Sequence, residues 1–202
     1  MSFGVKAQER VINSGKFTTS ATEFYFVRHG QTDQNAGGIT KMMFRDAPLN
    51  AVGQQQVVAL RSFIETLPIK KICCGPLLRT RQTTNAINKN LKLPVVTISD
   101  FREGSYRNWL EIRSVKNKQN VKISTSLRYF LGRVCKGLTQ ALQQQTPGPV
   151  LIVAHSGVYR ALCRILDVNL DSLVIGNCTV VHFYKNNQGS WAAEHIFEVG
   201  KV

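Results

Sequence analysis

Long hydrophobic runs are absent from this sequence of 202 residues. No apolar stretch reaches the roughly 18–20 residues that a helix needs to span a bilayer, so no membrane span is expected. The first twenty residues lack the apolar middle of a secretory signal and are polar, mildly basic and rich in Ser and Thr. We expect a polar N-terminal tail over residues 1–22, with an organelle transit peptide as the alternative. A single domain is expected over residues 23–202.

Cysteine is scarce and shows no paired pattern. The five cysteines, at positions 73, 74, 135, 163 and 178, are odd in number and form no CxxC or Cys/His spacing. This argues against a disulfide framework and against a zinc site, and it favours a reducing, cytoplasmic location. The adjacent Cys73 and Cys74 lie in a strand-like run, where we expect them to pack in the core.

Acidic residues are also few, since 12 Asp and Glu stand against 26 Lys and Arg and give a net charge of +14. Such a field attracts phosphorylated metabolites, nucleic acid and acidic membrane surfaces alike, so charge alone leaves the partner open. The basic residues are scattered and are not interleaved with aromatic ones, which disfavours nucleic acid. The oligomeric state cannot be inferred from these patterns.

Strand-like and helix-like segments alternate along the chain. The pattern predicts strands at 24–27, 69–74, 93–99 and 149–155, helices at 53–67, 79–91, 126–145 and 157–167, and two final strands at 179–184 and 191–199. We expect Val57, Leu60, Phe63 and Ile64 on the buried face of the first helix, and an irregular segment at 102–124. This alternation indicates an α/β fold, a three-layer sandwich whose mainly parallel central sheet is flanked by helices, with an antiparallel edge.

Histidines follow two of the predicted buried strands. "FYFV" runs into Arg28 and His29, and "LIVA" runs into His155. Ligands of parallel sheets bind beyond the carboxyl ends of the strands, so we expect the two histidines to lie side by side. Glycine follows each histidine closely, and we expect it to let an anion approach the backbone.

Two further charged residues follow strand-like runs. Arg79 in "GPLLRTRQT" begins a helix, and Glu103 lies in "DFREGSY". Arginine offers forked donors that match the oxygens of a phosphoryl group. A neutral imidazole is a competent nucleophile at phosphorus, and a carboxylic acid can protonate the departing oxygen.

Four ordered segments carry a family resemblance. "VRHGQT" followed by Asn35, "DAPLNAVGQQQ", "GPLLRTRQTT" and "VLIVAHSGVYRAL" resemble motifs of the histidine phosphatase superfamily, which includes the cofactor-dependent phosphoglycerate mutases. The resemblance runs from about residue 23 to residue 185 and implies a phosphoglycerate mutase-like fold. It also implies a phosphatase that acts on a small phosphorylated substrate without a metal or another cofactor.

The resemblance assigns roles residue by residue. His29 would be the nucleophile that becomes a phosphohistidine, and Glu103 would be the general acid and then the base, with Glu111 as the alternative acid. The groups expected to hold the phosphoryl oxygens or the substrate are Arg28, Arg79, His155, Asn35, Thr32, Gln31 and Ser156.

Several alternatives stay open. Ser156, which departs from the family's usual motif, would narrow the pocket or donate to phosphate, and Asn50 stands where the family prefers threonine. Phosphoryl transfer of the mutase type is the first rival to hydrolysis, although the stretch from Glu103 to His155 is short for a mutase. A non-catalytic anion- or nucleic-acid-binding protein on the same fold is the second rival. The basic residues of segment 102–124 would be a solvated loop or a cover that binds a second anionic group of the substrate: Arg102, Arg107, Arg113, Lys116, Lys118 and Lys122.

Overall fold

Six strands form one sheet in the computed structural model of this protein, which describes residues 17–36, 46–114, 122–143, 148–168 and 174–199. The strands are β1 (Glu23–Arg28), β2 (Lys71–Cys74), β3 (Val95–Thr97), β4 (Val150–Ala154), β5 (Val180–Lys185) and β6 (Trp191–Phe197), in the order β3-β2-β4-β1-β5-β6. The first four are mutually parallel, and β5 runs antiparallel to both β1 and β6. The prediction of a mainly parallel sheet with an antiparallel edge is confirmed.

Helices cover both faces of this sheet. They are α1 (Asp33–Ala36), α2 (Ala51–Ile64), α3 (Leu78–Ile87), α4 (Tyr106–Ser114), α5 (Thr125–Gln143) and α6 (Ser156–Ile165), with a short 3-10 turn at Ser99–Phe101. One core packs the sheet against α5 and α6, and a second core packs it against α2 and α3. The result is the expected three-layer sandwich.

Strand β1 shows how the sequence builds both cores. Successive side chains of a strand point to opposite faces. Phe24 and Phe26 join the core beneath α5 and α6, whereas Tyr25 and Val27 join the core beneath α2 and α3. This two-sided burial explains why the strand is apolar throughout. The same alternation sends Cys73 and Cys74 into opposite cores, which confirms that this pair packs in the interior.

Helix α2 begins beside the loop that follows β1. The side chain of Asn50 accepts a hydrogen bond of 2.9 Å from the backbone N–H of Gly53, so asparagine acts as the N-cap at the position where the family prefers threonine. A Cβ added to Gly53 would lie 2.1 Å from the carbonyl oxygen of Gln31. Glycine is therefore required for this close approach, which holds the loop after β1 against α2.

The apolar face of α2 was predicted almost completely. Val57, Leu60 and Ile64 are buried as expected. Phe63 is only partly buried, and its ring stacks on Phe197 at a centroid distance of 4.7 Å. It therefore packs on the sheet's outer strand.

The prediction of an irregular segment at 102–124 is wrong in its centre, because Tyr106–Ser114 is helix α4. Ser105 begins this helix by accepting a hydrogen bond from the backbone N–H of Asn108. Only Asn108 and Ile112 of the helix are buried, whereas its apolar side chains Tyr106 and Leu110 are exposed. Its packing against α5 and α6 decides its structure.

The predicted N-terminal tail is described only from residue 17. The Lys185 backbone N–H donates to the carbonyl of Thr22, the Lys185 ammonium donates to the carbonyl of Thr19, and Phe17 packs against the core. Residues 17–22 are thus attached to the domain, and residues 1–16 lie outside the described part. Among the helices of the described ranges, none combines the length and the apolar character that crossing a membrane demands.

Candidate active site

The two histidines meet at the carboxyl ends of β1 and β4. These strands are parallel neighbours with Arg28 opposite Ala154, and the His29 backbone N–H donates to the Ala154 carbonyl at 3.0 Å. The ring centroids of His29 and His155 consequently lie 5.1 Å apart at an angle of 64°. The structure brings together the two residues that the strand pattern placed on one rim.

The His29 ring is held in one tautomer by its partners. Its Nδ1 lies 2.7 Å from the carbonyl oxygen of Gly30, which can only accept, so Nδ1 carries the proton. Its Nε2 accepts a hydrogen bond of 3.1 Å from Nε of Arg79. Burial, together with the charges of Arg79 and Arg28, holds the pKa of His29 well below its ordinary value. The ring is therefore neutral, with a lone pair on Nε2.

His155 lies behind this ring and has no exposed surface. Burial is the largest cause that holds its pKa well below the ordinary value, followed by the neighbouring His29 and Arg79. Neither ring nitrogen has a hydrogen-bond partner among the described residues. A buried polar atom without a partner costs about 1–3 kcal/mol, so this ring is suited to a group that arrives from outside.

Two arginines adjoin His29 from different elements. Arg28 ends β1, and its Nη1 donates to the carbonyl of Ile175 at 2.6 Å. Arg79 lies in the first turn of α3 with 5% exposure. Burial lowers the pKa of both guanidinium groups, and the charge of Glu103 opposes that shift. Both groups nevertheless stay cationic, because the guanidinium group is never deprotonated in proteins.

Helix α3 is fastened to the loop after β1 by one hydroxyl group. The Thr83 hydroxyl accepts from the Gly30 backbone N–H at 3.1 Å and donates to the Arg79 carbonyl at 2.8 Å. The carboxylate of Asp46 also accepts from the backbone N–H of Leu78 at the start of this helix. These bonds fix the position of Arg79 relative to His29.

Glu103 lies in the loop before α4, and its carboxyl group contacts the first turn of α6, directly after His155. Its Oε1 accepts from the Gly104 backbone N–H at 2.9 Å, and its Oε2 accepts from the Gly157 backbone N–H at 3.3 Å. Burial of the carboxyl group raises its pKa, although those two hydrogen bonds and the nearby arginines oppose the shift. A carboxyl group with a raised pKa is the type that serves as a general acid.

Glycine is required after each of the two histidines for a different structural reason. A Cβ on Gly157 would lie 2.2 Å from Oε1 of Glu103, so the first turn of α6 has room for this carboxylate only because the residue is glycine. A Cβ on Gly30 would lie 2.8 Å from the Gly53 carbonyl. The expectation that Gly30 leaves room for an anion is therefore wrong, since Gly30 serves the packing of α2.

A cavity of about 420 Å³ opens over these groups. The predicted site residues that line it are Arg28, His29, Thr32, Asn35, Arg79, Glu103 and Ser156. The amide oxygen of Asn35 accepts from the Thr32 backbone N–H at 3.1 Å, which fixes the orientation of that amide. No group of His, Cys, Asp and Glu side chains suited to a metal ion occurs within the described ranges.

Residues 24–197 match the family described as the histidine phosphatase superfamily (branch 1). The chain belongs to this superfamily. It is 33% identical over 150 residues to the uncharacterized phosphatase PhoE of Bacillus subtilis (strain 168), a match that covers 70% of this chain and 75% of that protein. It is 31% identical to an agropine synthesis reductase of Rhizobium rhizogenes over 87% of this chain, which corresponds to 42% of that longer protein.

Solved structures share this fold. A phosphoserine phosphatase of Entamoeba histolytica, in complex with 3-phosphoglyceric acid, superposes with a TM-score of 0.68 over 89% of this chain and 98% of the other. Its sequence identity is 17%, so this likeness concerns the fold alone.

Three candidates from the superfamily resemblance are not among the residues that line the cavity. His155 is fully buried beside His29. Gln31 does not line the cavity; its side-chain oxygen accepts from Asn50, and its backbone N–H donates to the side chain of Gln56 in the second turn of α2. Glu111 accepts two hydrogen bonds of 2.6 Å from Ser124, which joins α4 to α5. Of the two acidic candidates, the structure places Glu103 at the cavity that His29 lines.

The cavity also contains residues to which the sequence analysis gave no role. They are Gln34, Trp109, Arg160, Val174 and Ile175. Arg160 lies four positions after Ser156, so both share one face of α6, and this spacing could have identified it. The place of Trp109 at the cavity could not be predicted, because it depends on α4, which the sequence pattern did not reveal.

Proposed function

We propose that this superfamily member hydrolyses phosphomonoesters through a covalent phosphohistidine at His29, without the help of a metal ion. The observation that carries the proposal is a neutral, buried His29 whose Nε2 accepts from Arg79, in a cavity that Arg28 and a carboxyl group of raised pKa also line. The phosphatase named among its relatives supports the reaction class. The guanidinium groups supply the positive charge that a metal ion would otherwise bring to the phosphoryl group.

In the first step the phosphoryl group lies between Arg28 and Arg79. The Arg79 donor that contacts His29 Nε2 turns to a phosphoryl oxygen, which releases the lone pair for attack. The N–P bond forms while the bond from phosphorus to the ester oxygen breaks. Glu103 gives its proton to that oxygen, so the product leaves as a neutral alcohol.

In the second step a water molecule takes the place of the alcohol. The Glu103 carboxylate accepts a proton from this water, whose oxygen attacks phosphorus as the N–P bond breaks. Inorganic phosphate leaves, and both side chains return to their starting states. The buried His155 ring would donate to a phosphoryl oxygen during both steps, which would satisfy a nitrogen that lacks a partner.

A rapid-quench experiment tests the covalent step. A phosphoester labelled in its phosphoryl group, mixed with the enzyme and quenched in alkali, is expected to leave acid-labile label on the protein. His29→Ala is expected to retain none and to lose turnover, because the reaction path itself is removed. His182→Ala is the matched control, since His182 lies on β5 and bonds to Glu23 and Glu194, outside the cavity.

Three outcomes would contradict the proposal. Label that persists in His29→Ala would remove His29 as the nucleophile. Loss of turnover after treatment with a chelator, with recovery on adding a divalent cation, would overturn the metal-independent chemistry. Interconversion of phosphoglycerates faster than phosphate release would favour the mutase alternative.

A further inference from the structure

The charge of the cavity exceeds what one phosphoryl group needs. The charged side chains among its described lining residues are four arginines, at positions 28, 79, 113 and 160, and the single acid Glu103. A phosphomonoester brings a charge of about −1.5 to −2 at neutral pH. When Glu103 is protonated and ready to act as an acid, one phosphoryl group neutralises at most two of the four arginines, so at least two positive charges remain.

The surplus arginines are grouped on one side, around an indole ring. The Arg160 guanidinium lies 4.4 Å from the centroid of the Trp109 ring, and the Arg113 guanidinium lies 5.6 Å from it. A guanidinium that stacks on an aromatic face keeps its N–H donors at its edges, in the plane of the group. Trp109 therefore lies within cation–π distance of two guanidinium groups and favours their position together at the cavity.

Burial separates this cluster from ordinary surface arginines. Arg160 is 3% exposed although it lines the cavity. Burial lowers the pKa of Arg160, and the positive charge of Arg113 is the next largest cause. Arg160 in turn contributes to the lowered pKa of Arg28. The arginines thus repel one another across the cavity, and a second anion would relieve that repulsion.

We propose that Arg113, Arg160 and Trp109 form a subsite for a second anionic group of the substrate, a carboxylate or a phosphate next to the esterified phosphate. The inference rests on the proposed function, since it names the class of phosphomonoester that the same cavity accepts. It also corrects the residues expected for such a cover. Arg102, Arg107 and Lys122 do not line the cavity, and Lys116 and Lys118 lie outside the described residues.

Matched substrate pairs test the subsite. The first pair, 3-phosphoglycerate and glycerol 3-phosphate, differs by a carboxylate, and the second, fructose 1,6-bisphosphate and fructose 6-phosphate, differs by a phosphate. We expect kcat/KM to favour the doubly anionic member of at least one pair by about tenfold or more, the worth of one charge-assisted hydrogen bond. The pair that shows this preference identifies the anion.

Variants assign that preference to residues. Arg113→Gln and Arg160→Gln are each expected to reduce the ratio of kcat/KM within the pair by about tenfold, with turnover of p-nitrophenyl phosphate nearly retained in Arg113→Gln. Arg107→Gln is the matched control, since it removes the same charge from an exposed position of the same helix. A ratio of two substrates does not depend on the folded fraction of a preparation, so it stays valid if the buried Arg160 variant folds poorly.

Ligand binding separates failure of the subsite from failure of the reaction. The chain has two tryptophans, Trp109 and Trp191, so tryptophan emission reports on Trp109 directly in a Trp191→Phe variant. If p-nitrophenyl phosphate is not hydrolysed, the proposed reaction fails, yet 3-phosphoglycerate or fructose 1,6-bisphosphate is still expected to bind more tightly than its matched partner. Equal behaviour within both pairs, or a preference that survives both arginine substitutions, would overturn the subsite.

Discussion

Gly157→Ala tests the acid role of Glu103 without changing the acid itself. The new Cβ would lie 2.2 Å from Oε1 of Glu103 and 3.1 Å from its Cδ. Non-bonded heavy atoms prefer about 3.5–4.0 Å, so the carboxyl group has to move by more than about 1 Å. Misplacement on this scale can cost about 10²-fold, and loss of general acid catalysis costs about 10²–10⁴-fold.

The size of this loss in rate depends on the leaving group of the substrate. We expect kcat for glycerol 3-phosphate, whose alkoxide needs a proton, to fall by about 10²–10⁴-fold. Turnover of p-nitrophenyl phosphate is expected to stay within about tenfold of wild type, because its leaving oxygen is already stable as an anion. Steady-state phosphate release with the two esters measures both values.

Stability provides the necessary control for this substitution. Alanine in a helix gains at most about 1 kcal/mol over glycine, and loss of the Gly157–Glu103 hydrogen bond costs about 1–3 kcal/mol. The net loss of stability is therefore at most about 3 kcal/mol, a fall in Tm of up to about 12 °C in a chain of this size. Calorimetry is expected to find a folded protein at assay temperature.

A double-mutant cycle decides whether the two residues act together. In the Glu103→Ala variant the clash disappears, so adding Gly157→Ala is expected to lower kcat for glycerol 3-phosphate by less than about a further twofold. Equal slowing of both esters by Gly157→Ala, or full additivity with Glu103→Ala, would refute the reasoning.

Two further predictions concern pH and salt. Because the pKa values of His29 and His155 are held below the ordinary value, the unfolded state binds protons that the folded state refuses, and the free energy of unfolding is expected to fall as pH drops from about 6.5. Urea unfolding measures this change in the free energy of unfolding, which is at most about 2.7 kcal/mol per pH unit for two histidines. The raised pKa of Glu103 acts in the opposite direction. A free energy of unfolding that does not change with pH would contradict the neutral, buried state of the two rings. Added salt is expected to lower kcat/KM for a bisphosphate more steeply than for a phosphomonoester that has no second anionic group, and Arg113→Gln is expected to remove this difference. Equal salt dependence of kcat/KM for the two substrates in the wild type would show that Arg113 does not contact the substrate.

Much of the site could be predicted because it follows a simple rule of parallel sheets. His29 and His155 each follow an apolar run, and neighbouring parallel strands end at the same edge of the sheet. Arg79 and Glu103 follow strand-like runs as well, so their place on this edge could be anticipated. The superfamily motifs pointed to the same residues independently.

Other residues could not be assigned from the sequence, because distant packing decides them. Gln31 shares a motif with His29, yet the close approach of α2 uses its side chain for structure. Glu103 and Glu111 are equally acidic in the sequence. Only the hydrogen bonds to Gly157 and to Ser124 distinguish the carboxyl group at the cavity from the one that joins two helices.

The sequence by itself determined the layer architecture, the edge of the sheet that carries the chemistry and the nucleophile expected there. These features depend on local periodicity and on strand direction, which adjacent residues encode. The tertiary structure alone decided the tautomer of His29, the raised pKa of Glu103 and the cluster of Arg113 and Arg160 around Trp109. Those features depend on burial and on charges brought together from segments far apart in the chain, and no local pattern records which segments will meet.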